Sequence, residues 1–118
     1  MSKILVVEDD LSNAEVIQMI LEDQNFEVES ICQADKLNAA IKSFQPDLIV
    51  MDILLYNHDG RILCNSLKSN IQTMDIPILL ITAMLESKAN EMINLADALM
   101  FKPFDYRVLS RKVRELIH

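Results

Sequence analysis

Short apolar runs alternate with amphipathic segments five times along this chain. The runs lie at about 3–8, 27–32, 47–52, 77–82 and 98–101. Four of them consist mainly of Ile, Leu and Val, which is typical of strands buried on both faces of a parallel sheet. The second run alternates apolar and polar residues from Phe26 to Ile31. That alternation predicts a half-exposed strand at the edge of the sheet.

Segments with helical periodicity fill the gaps between the runs. The predicted helices span about 13–24, 35–44, 60–69, 86–95 and a last segment capped by Asp105. A capping box of Ser12 and Glu15 is expected to begin the first helix, and Pro46 is expected to end the second. The fourth helix is expected to bury Ala89, Met92, Ile93 and Ala96. Strict alternation of strand and helix predicts a parallel sheet with helices on both faces and right-handed crossovers.

Composition narrows the classes of function. The chain has 118 residues, 51% of them hydrophobic, which suits one globular domain. A net charge of −7 argues against general binding to nucleic acid or membrane surfaces, and no apolar run is long enough to span a membrane. The two cysteines, Cys32 and Cys64, lack metal-ligand spacing and are expected to be reduced thiols. Strand pattern begins too near Met1 for a signal peptide, so a cytoplasmic location is expected.

Polar residues follow four of the five runs. Glu8, Asp9 and Asp10 end the first run, and Asp52, Thr82 and Lys102 end the third, fourth and fifth. The carboxyl ends of neighbouring parallel strands meet in one crevice. Two carboxylates about 4–5 Å apart repel by about 4 kcal/mol at an effective dielectric of about 20, so a third makes a cation necessary. The sequence therefore predicts a site for a divalent cation and a phosphoryl group.

One glycine, Gly60, occurs in the whole chain. The glycine-rich loops that hold dinucleotides or nucleotide phosphates are therefore excluded. The polar residues instead resemble the receiver domain of bacterial response regulators, the CheY-like family. The resemblance covers essentially the whole chain and is carried by Val6–Asp10, Pro46–Ile53, Asp59-Gly60, Thr82-Ala83 and Lys102-Pro103-Phe104. It implies a single receiver domain over residues 1–118, an α/β (βα)5 sandwich whose five-stranded parallel sheet has the order 2-1-3-4-5.

The resemblance also implies a role for each residue of the crevice. Asp52 matches the phosphoacceptor, whose carboxylate takes a phosphoryl group from a phosphohistidine. Thr82 and Lys102 match the hydroxyl and the ammonium that contact the phosphoryl group, and the bond before Pro103 is expected to be cis. Magnesium is the implied cofactor, and its implied ligands are Glu8, Asp9, Asp52 and the carbonyl of Leu54. Asp10 is expected to start the first helix or lie in solvent rather than bind metal.

The chain departs from the family pattern mainly on the face that normally signals output. The aromatic switch residue is replaced by Leu99, the usual proline four residues after the phosphoacceptor is Tyr56, and the usual Gly-Ala before the last strand reads Leu95-Ala96. The implied partners are a sensor histidine kinase or phosphotransfer protein, and an output domain or partner protein on the face of the fourth and last helices. A second copy of the chain is a further candidate partner, whereas direct contact with nucleic acid or membrane is not expected.

Several alternatives are open at this point. A pseudo-receiver would bind partners without phosphate, and the altered output face favours it. An aspartyl phosphohydrolase would need a second acid two residues after the nucleophile, where Leu54 stands. The leading interpretation is a switch that is not an enzyme, limited to self-phosphotransfer and slow autodephosphorylation. His58 is interpreted as a surface residue, and the basic face of the last helix is either solvated or a contact surface formed by Arg107, Arg111, Lys112 and Arg114.

Overall fold

Five strands form one parallel sheet in the computed structural model, which describes residues 1–92, 94–103 and 105–117. Numbered in chain order within this sheet, the strands are β1 Lys3–Val7, β2 Glu27–Ile31, β3 Leu48–Asp52, β4 Ile78–Thr82 and β5 Ala98–Phe101. Their order is β2-β1-β3-β4-β5, and every neighbouring pair is parallel. The fold predicted from the sequence is confirmed, and β2 is an edge strand with exposed glutamates, as its alternating pattern indicated.

Helices cover both faces of the sheet. They are α1 Leu11–Asp23, α2 Leu37–Phe44, α3 Gly60–Lys68, α4 Glu86–Ala89 and α5 Tyr106–Leu116, with a 3-10 turn at Ala34–Lys36 before α2. One core cluster joins the sheet to α1 and α5, and the other joins it to α2, α3 and α4. Alternate residues of each central strand point to opposite faces, so Ile4 and Leu5 are both fully buried but belong to different clusters. None of the described helices is long and apolar enough to cross a membrane.

The predicted start of the first helix is wrong. The helix begins at Leu11, and its cap is Asp10, whose carboxylate accepts the amide hydrogen of Asn13 at 3.0 Å. Asp is as good a cap as Ser, and Asp10 lies at the point where the chain leaves the sheet edge. The capping box of Ser12 and Glu15 therefore does not form, and Asp10 is the helix-start residue that the sequence suggested. At the second helix, Gln45 adopts a left-handed conformation after Phe44, and the helix ends before Pro46 as predicted.

The predicted fourth helix, about 86–95, is too long. The helix ends at Ala89, and two amides of the segment that follows donate to side chains rather than to the carbonyl four residues earlier. The Leu95 amide donates to the side chain of Asn65 at 2.8 Å, the Ala96 amide donates to the side chain of Asn94 at 3.1 Å, and Asp97 accepts from the Ile78 amide at 2.7 Å. Of the residues expected on its inward face, Ala89 is buried and Met92 and Ala96 are half-buried. Ile93, Phe104 of the Lys-Pro-Phe motif and His118 lie outside the described residues.

Candidate functional site

Four polar side chains lie at the carboxyl end of the sheet, as the sequence predicted. Asp52 and Thr82 are the last residues of β3 and β4, and Glu8 and Lys102 directly follow β1 and β5. Backbone hydrogen bonds continue the sheet across these positions: the Glu8 amide donates to the Ile31 carbonyl at 3.1 Å, and the Lys102 amide donates to the Thr82 carbonyl at 2.7 Å. The parallel register thus sets these residues beside one another at one edge of the sheet.

The Lys102 ammonium binds two buried carboxylates. Its Nζ lies 2.8 Å from Oδ2 of Asp52 and 2.6 Å from Oε1 of Glu8. Burial lowers the pKa of Lys102, but its hydrogen bonds to Asp52 and Glu8 outweigh this effect and keep that pKa above the ordinary value. Lys102 is therefore a permanent cation of the site. The contact with Asp52 was expected, whereas the contact with Glu8 was not. The available signal was the position of Glu8 directly after a buried strand, because a buried carboxylate needs a cation nearby.

Glu8 has one carboxylate oxygen without a partner in the described residues. The residue is only 1% exposed, and its Oε2 accepts no hydrogen bond from them. Burial is the largest effect that raises the pKa of Glu8, Asp52 raises it as well, and the hydrogen bond from Lys102 opposes them, so that the pKa of Glu8 is about 7. A buried carboxylate oxygen of this kind is stabilised either by a proton or by a metal cation.

Asp9 and Asp52 both hold the loop that follows β3. Asp52 Oδ1 accepts the amide hydrogen of Leu54 at 2.9 Å, and Asp9 Oδ2 accepts that of Tyr56 at 2.8 Å. Leu54–Leu55 then pairs with His58–Asp59 in a short antiparallel hairpin. We refer to residues 53–60 as the β3–α3 loop. The first half of this loop is therefore bonded directly to two of the carboxylates that the resemblance to receiver domains implied as metal ligands.

The carboxylates alone do not form a ready-made metal cage. Within residues 1–92, 94–103 and 105–117, no group of three or more Asp, Glu, His or Cys side chains is arranged to hold an ion. The chemistry of the donors nevertheless fits a hard divalent cation, because such ions prefer carboxylate and carbonyl oxygens. The observation that supports this fit is the oxygen of buried Glu8 that has no partner among the described residues.

Thr82 is buried beside the carboxylates, but its hydroxyl is used locally. Its Oγ1 accepts the amide hydrogen of Met84 at 3.0 Å rather than contacting Asp52. The structure thus joins Glu8, Asp52 and Lys102 by direct bonds and holds Thr82 at the same edge of the sheet. Leu99, at the position of the family's switch residue, is half-buried in β5 and packs against the core cluster that includes Ala89 of α4.

Gly60 packs against the backbone of Asp52. Its amide donates to the Ile53 carbonyl at 2.8 Å, and a Cβ atom placed on it would lie 2.3 Å from the Asp52 carbonyl oxygen and 2.9 Å from Cα of Ile53. Only a residue without a side chain fits there. The sequence indicated Gly60 as part of a motif, but it did not indicate this contact. The only available signal was that glycine occurs just once in the chain.

Two further predictions concern surface residues. His58 is exposed, and its Nε2 lies 3.2 Å from Oδ1 of Asp35, as suits a surface residue. On α5, Asp105 caps the helix by accepting the Arg107 amide hydrogen at 2.7 Å. The basic side chains of α5 face the surface: Arg107, Arg111 and Arg114 are exposed, and Lys112 is half-buried.

Comparisons with known proteins agree on one family. The model of the response regulator receiver domain matches residues 4–114. The DNA-binding dual master transcriptional regulator RpaA of Synechocystis sp. is 32% identical over 119 residues, which cover 99% of this chain and 49% of RpaA. The chain spans about half the length of RpaA and of the other curated relatives that it matches.

Solved structures show the same architecture. The signal receiver domain of a signal transduction histidine kinase from Syntrophus aciditrophicus has a TM-score of 0.90 and 30% identity, covering 98% of this chain and 89% of that one. The response regulator TrrA of Thermotoga maritima, solved in complex with Mg²⁺ and BeF, has a TM-score of 0.88 and 24% identity, covering 99% of this chain and all of TrrA (100%). At that identity, the likeness to TrrA shows the fold alone.

Proposed function

This chain belongs to the response regulator receiver domain family, and we propose that it accepts a phosphoryl group on Asp52 from a histidine kinase or phosphotransfer protein. The observation that carries the assignment is the shared ammonium of Lys102, which lies 2.8 Å from Asp52 and 2.6 Å from a second buried carboxylate, Glu8. The match to the family over residues 4–114 supports the same role.

The transfer forms one bond and breaks another. A carboxylate oxygen of Asp52 attacks the phosphorus of a phosphohistidine, the phosphorus–nitrogen bond breaks, and an acyl phosphate forms. Lys102 remains charged throughout, so its ammonium can move from the carboxylate to the oxygens of the arriving phosphoryl group. The hydroxyl of Thr82 lies at the same edge of the sheet and can donate to those oxygens once it turns from the Met84 amide. Positive charge already present in the site stabilises the negative charge of the transferring phosphoryl group.

A divalent cation completes the proposal. Glu8, Asp9, Asp52 and the carbonyl of Leu54 would hold Mg²⁺, and the unpartnered oxygen of Glu8 supports this set. Asp9 would exchange its bond to the Tyr56 amide for the ion. Bound Mg²⁺ would supply positive charge to the phosphoryl oxygens during transfer.

The competing functions are less well supported. A pseudo-receiver would not need the ion pairs of Lys102 with Asp52 and Glu8, which are intact. An aspartyl phosphohydrolase would need an acid at position 54, where an exposed leucine stands. The chain is therefore proposed as a switch that is not an enzyme in its own right, with slow autodephosphorylation as its only turnover.

The switch is proposed to work in the cytoplasm on a separate or attached output partner. RpaA is a DNA-binding regulator, and the match to this chain covers about half of the length of RpaA. For this domain, the net charge of −7 argues against direct contact with nucleic acid. The proposed contact surface for an output domain, a partner protein or a second copy is the face of α4 and α5.

Intact-mass measurement with acetyl phosphate and Mg²⁺ tests the assignment. The wild-type chain should gain one phosphoryl group, Asp52→Asn should gain none, and Asp9→Asn should need more Mg²⁺. Asp10→Asn is the matched control, because it removes a neighbouring charge while Asn still caps α1. Undiminished phosphorylation of Asp52→Asn would refute the assignment.

A further inference from the structure

Arg61, the second residue of α3, is a buried arginine that reaches two parts of the molecule. On one side it forms a two-point ion pair with Asp59: Nε lies 3.0 Å from Oδ1, and Nη2 lies 2.7 Å from Oδ2. The backbone amide of Arg61 also donates to Asp59 Oδ1 at 2.8 Å. This paired geometry is the strong, directional form of an arginine–carboxylate contact, and it fixes the guanidinium plane on the β3–α3 loop.

The other side of the same guanidinium binds the end of α4. Nη1 donates to the carbonyl oxygens of Lys88 at 3.1 Å and Ala89 at 3.0 Å. These are the last two residues of a helix of four, and the carbonyls at a helix end carry partial negative charge. Arg61 therefore supplies a cation where α4 ends, and it does so from a different helix.

The ion pair between Arg61 and Asp59 keeps both of its charges at neutral pH. The hydrogen bonds to Asp59 raise the pKa of Arg61, and those from Arg61 lower the pKa of Asp59 in spite of its partial burial. Neither partner loses its charge near pH 7. The guanidinium binds the loop through a two-point ion pair and binds α4 only through hydrogen bonds to two neutral carbonyls, so the contact with α4 is the weaker of the two.

The loop that holds Arg61 is bonded to the proposed phosphoacceptor. Asp52 Oδ1 accepts the Leu54 amide hydrogen, Leu54 pairs with Asp59 in the hairpin, and Asp59 binds Arg61. Gly60 lies against the Asp52 carbonyl oxygen at a distance that leaves no space for a side chain. A change at the Asp52 carboxylate therefore acts on the backbone segment that positions the guanidinium.

We propose that Arg61 is the positioning residue through which the state of Asp52 reaches α4. The inference rests on the proposed phosphorylation of Asp52. In this proposal the end of α4 has two arrangements, bound by the guanidinium or released from it, and phosphorylation of Asp52 shifts the equilibrium between them by moving the loop that positions Arg61. Leu99 has no aromatic ring to rotate, so this chain reaches α4 through the loop rather than through position 99.

The test compares hydrogen exchange at two groups of amides, with and without beryllofluoride and Mg²⁺. One group lies in the β3–α3 loop and the other at residues 88–92, which we call the α4 end. The main variant is Arg61→Met. The matched control is Lys68→Met, which removes another cation of α3. The Lys68 side chain is 11% exposed and that of Arg61 is 8% exposed, so the two are similarly buried. Lys68 binds Asp97 and the Ile76 carbonyl, away from the site.

In the wild-type chain and in Lys68→Met, beryllofluoride should change exchange in both groups of amides. In Arg61→Met the loop should still respond, while the change at the α4 end should fall from about fivefold or more to less than about twofold, in line with coupling of ordinary size. Arg61→Lys, which keeps the charge but cannot bind Asp59 and both carbonyls at once, should show the same selective loss if the methionine variant does not fold. A purely structural role for Arg61 would weaken both responses together.

Two further results would overturn the inference. One is an α4-end response of wild-type size in an Arg61 variant whose loop still responds. The other is a wild-type chain whose loop responds while the α4 end does not. A wild-type chain that shows no response anywhere would instead refute the proposed function itself, and the inference would fall with it.

Discussion

Replacing Gly60 with alanine should damage the fold and the site together. The added Cβ would lie 2.3 Å from the Asp52 carbonyl oxygen, 2.9 Å from Cα of Ile53 and 3.0 Å from the Asp52 carbonyl carbon. All three atoms belong to the backbone, so no flexible side chain can move aside. Either α3 or the end of β3 must therefore move by about 1 Å, since inserted atoms in a packed interior find no free space.

The expected loss of stability is about 2 kcal/mol. Overpacking a well-filled interior costs about 1–3 kcal/mol, and the higher helix propensity of alanine returns less than about 1 kcal/mol, because Gly60 is only the first residue of α3. For a domain of this size, that loss lowers the melting temperature by about 8 °C. Phosphorylation of Asp52 should slow as well, because the displaced backbone carries the proposed phosphoacceptor.

Urea unfolding followed by circular dichroism measures the first effect, and intact mass after treatment with acetyl phosphate and Mg²⁺ measures the second. Ser66→Ala is the control, since Ser66 is exposed on the same helix and gains similar helix propensity without a new contact. The reasoning is refuted if the free energy of unfolding of Gly60→Ala lies within about 0.5 kcal/mol of the wild-type value and the variant is phosphorylated at the same rate. Substitutions at the surface usually change the free energy of unfolding by no more than that.

Three further predictions concern lifetime, readout and pH. The acyl phosphate should decay slowly, because Leu54 and Met84 cannot orient water. Asn at either position should speed decay about tenfold, less than a positioned base provides, and unchanged decay in both variants would reject the shielding argument. Because Leu99 has no ring to rotate, beryllofluoride should change amide shifts more in the β3–α3 loop than from α4 to β5, and the opposite distribution would contradict this reading. The ion pair with Arg61 lowers the pKa of Asp59, so its contribution to stability is complete above the ordinary value of 3.8 and lost as pH falls through the lowered pKa. Urea unfolding at several acidic pH values should show a smaller pH dependence for Asp59→Asn, and equal slopes would exclude the effect.

The pattern of the sequence determined the fold and the residues at the carboxyl end of the sheet. Runs of Ile, Leu and Val indicate that a strand is buried on both faces. This can be read from each segment alone, before its neighbours in the fold are known. Asp52, Thr82 and Lys102 could be placed together because parallel strands necessarily meet at one edge. The resemblance to receiver domains then supplied the strand order, which periodicity alone does not contain.

Only the tertiary structure decided which groups bond to each other. The helix α4 ends at Ala89, and in the segment that follows the Leu95 amide donates to the side chain of Asn65, which is 30 residues away in the chain. Glu8 shares the ammonium of Lys102 across 94 residues, and Arg61 reaches the Ala89 carbonyl across 28. Hydrogen bonds depend on distance and angle to within a few tenths of an ångström, whereas hydrophobic periodicity depends only on which side of an element is buried. The positions of the site residues could therefore be predicted from the sequence, but the bonds between them could not.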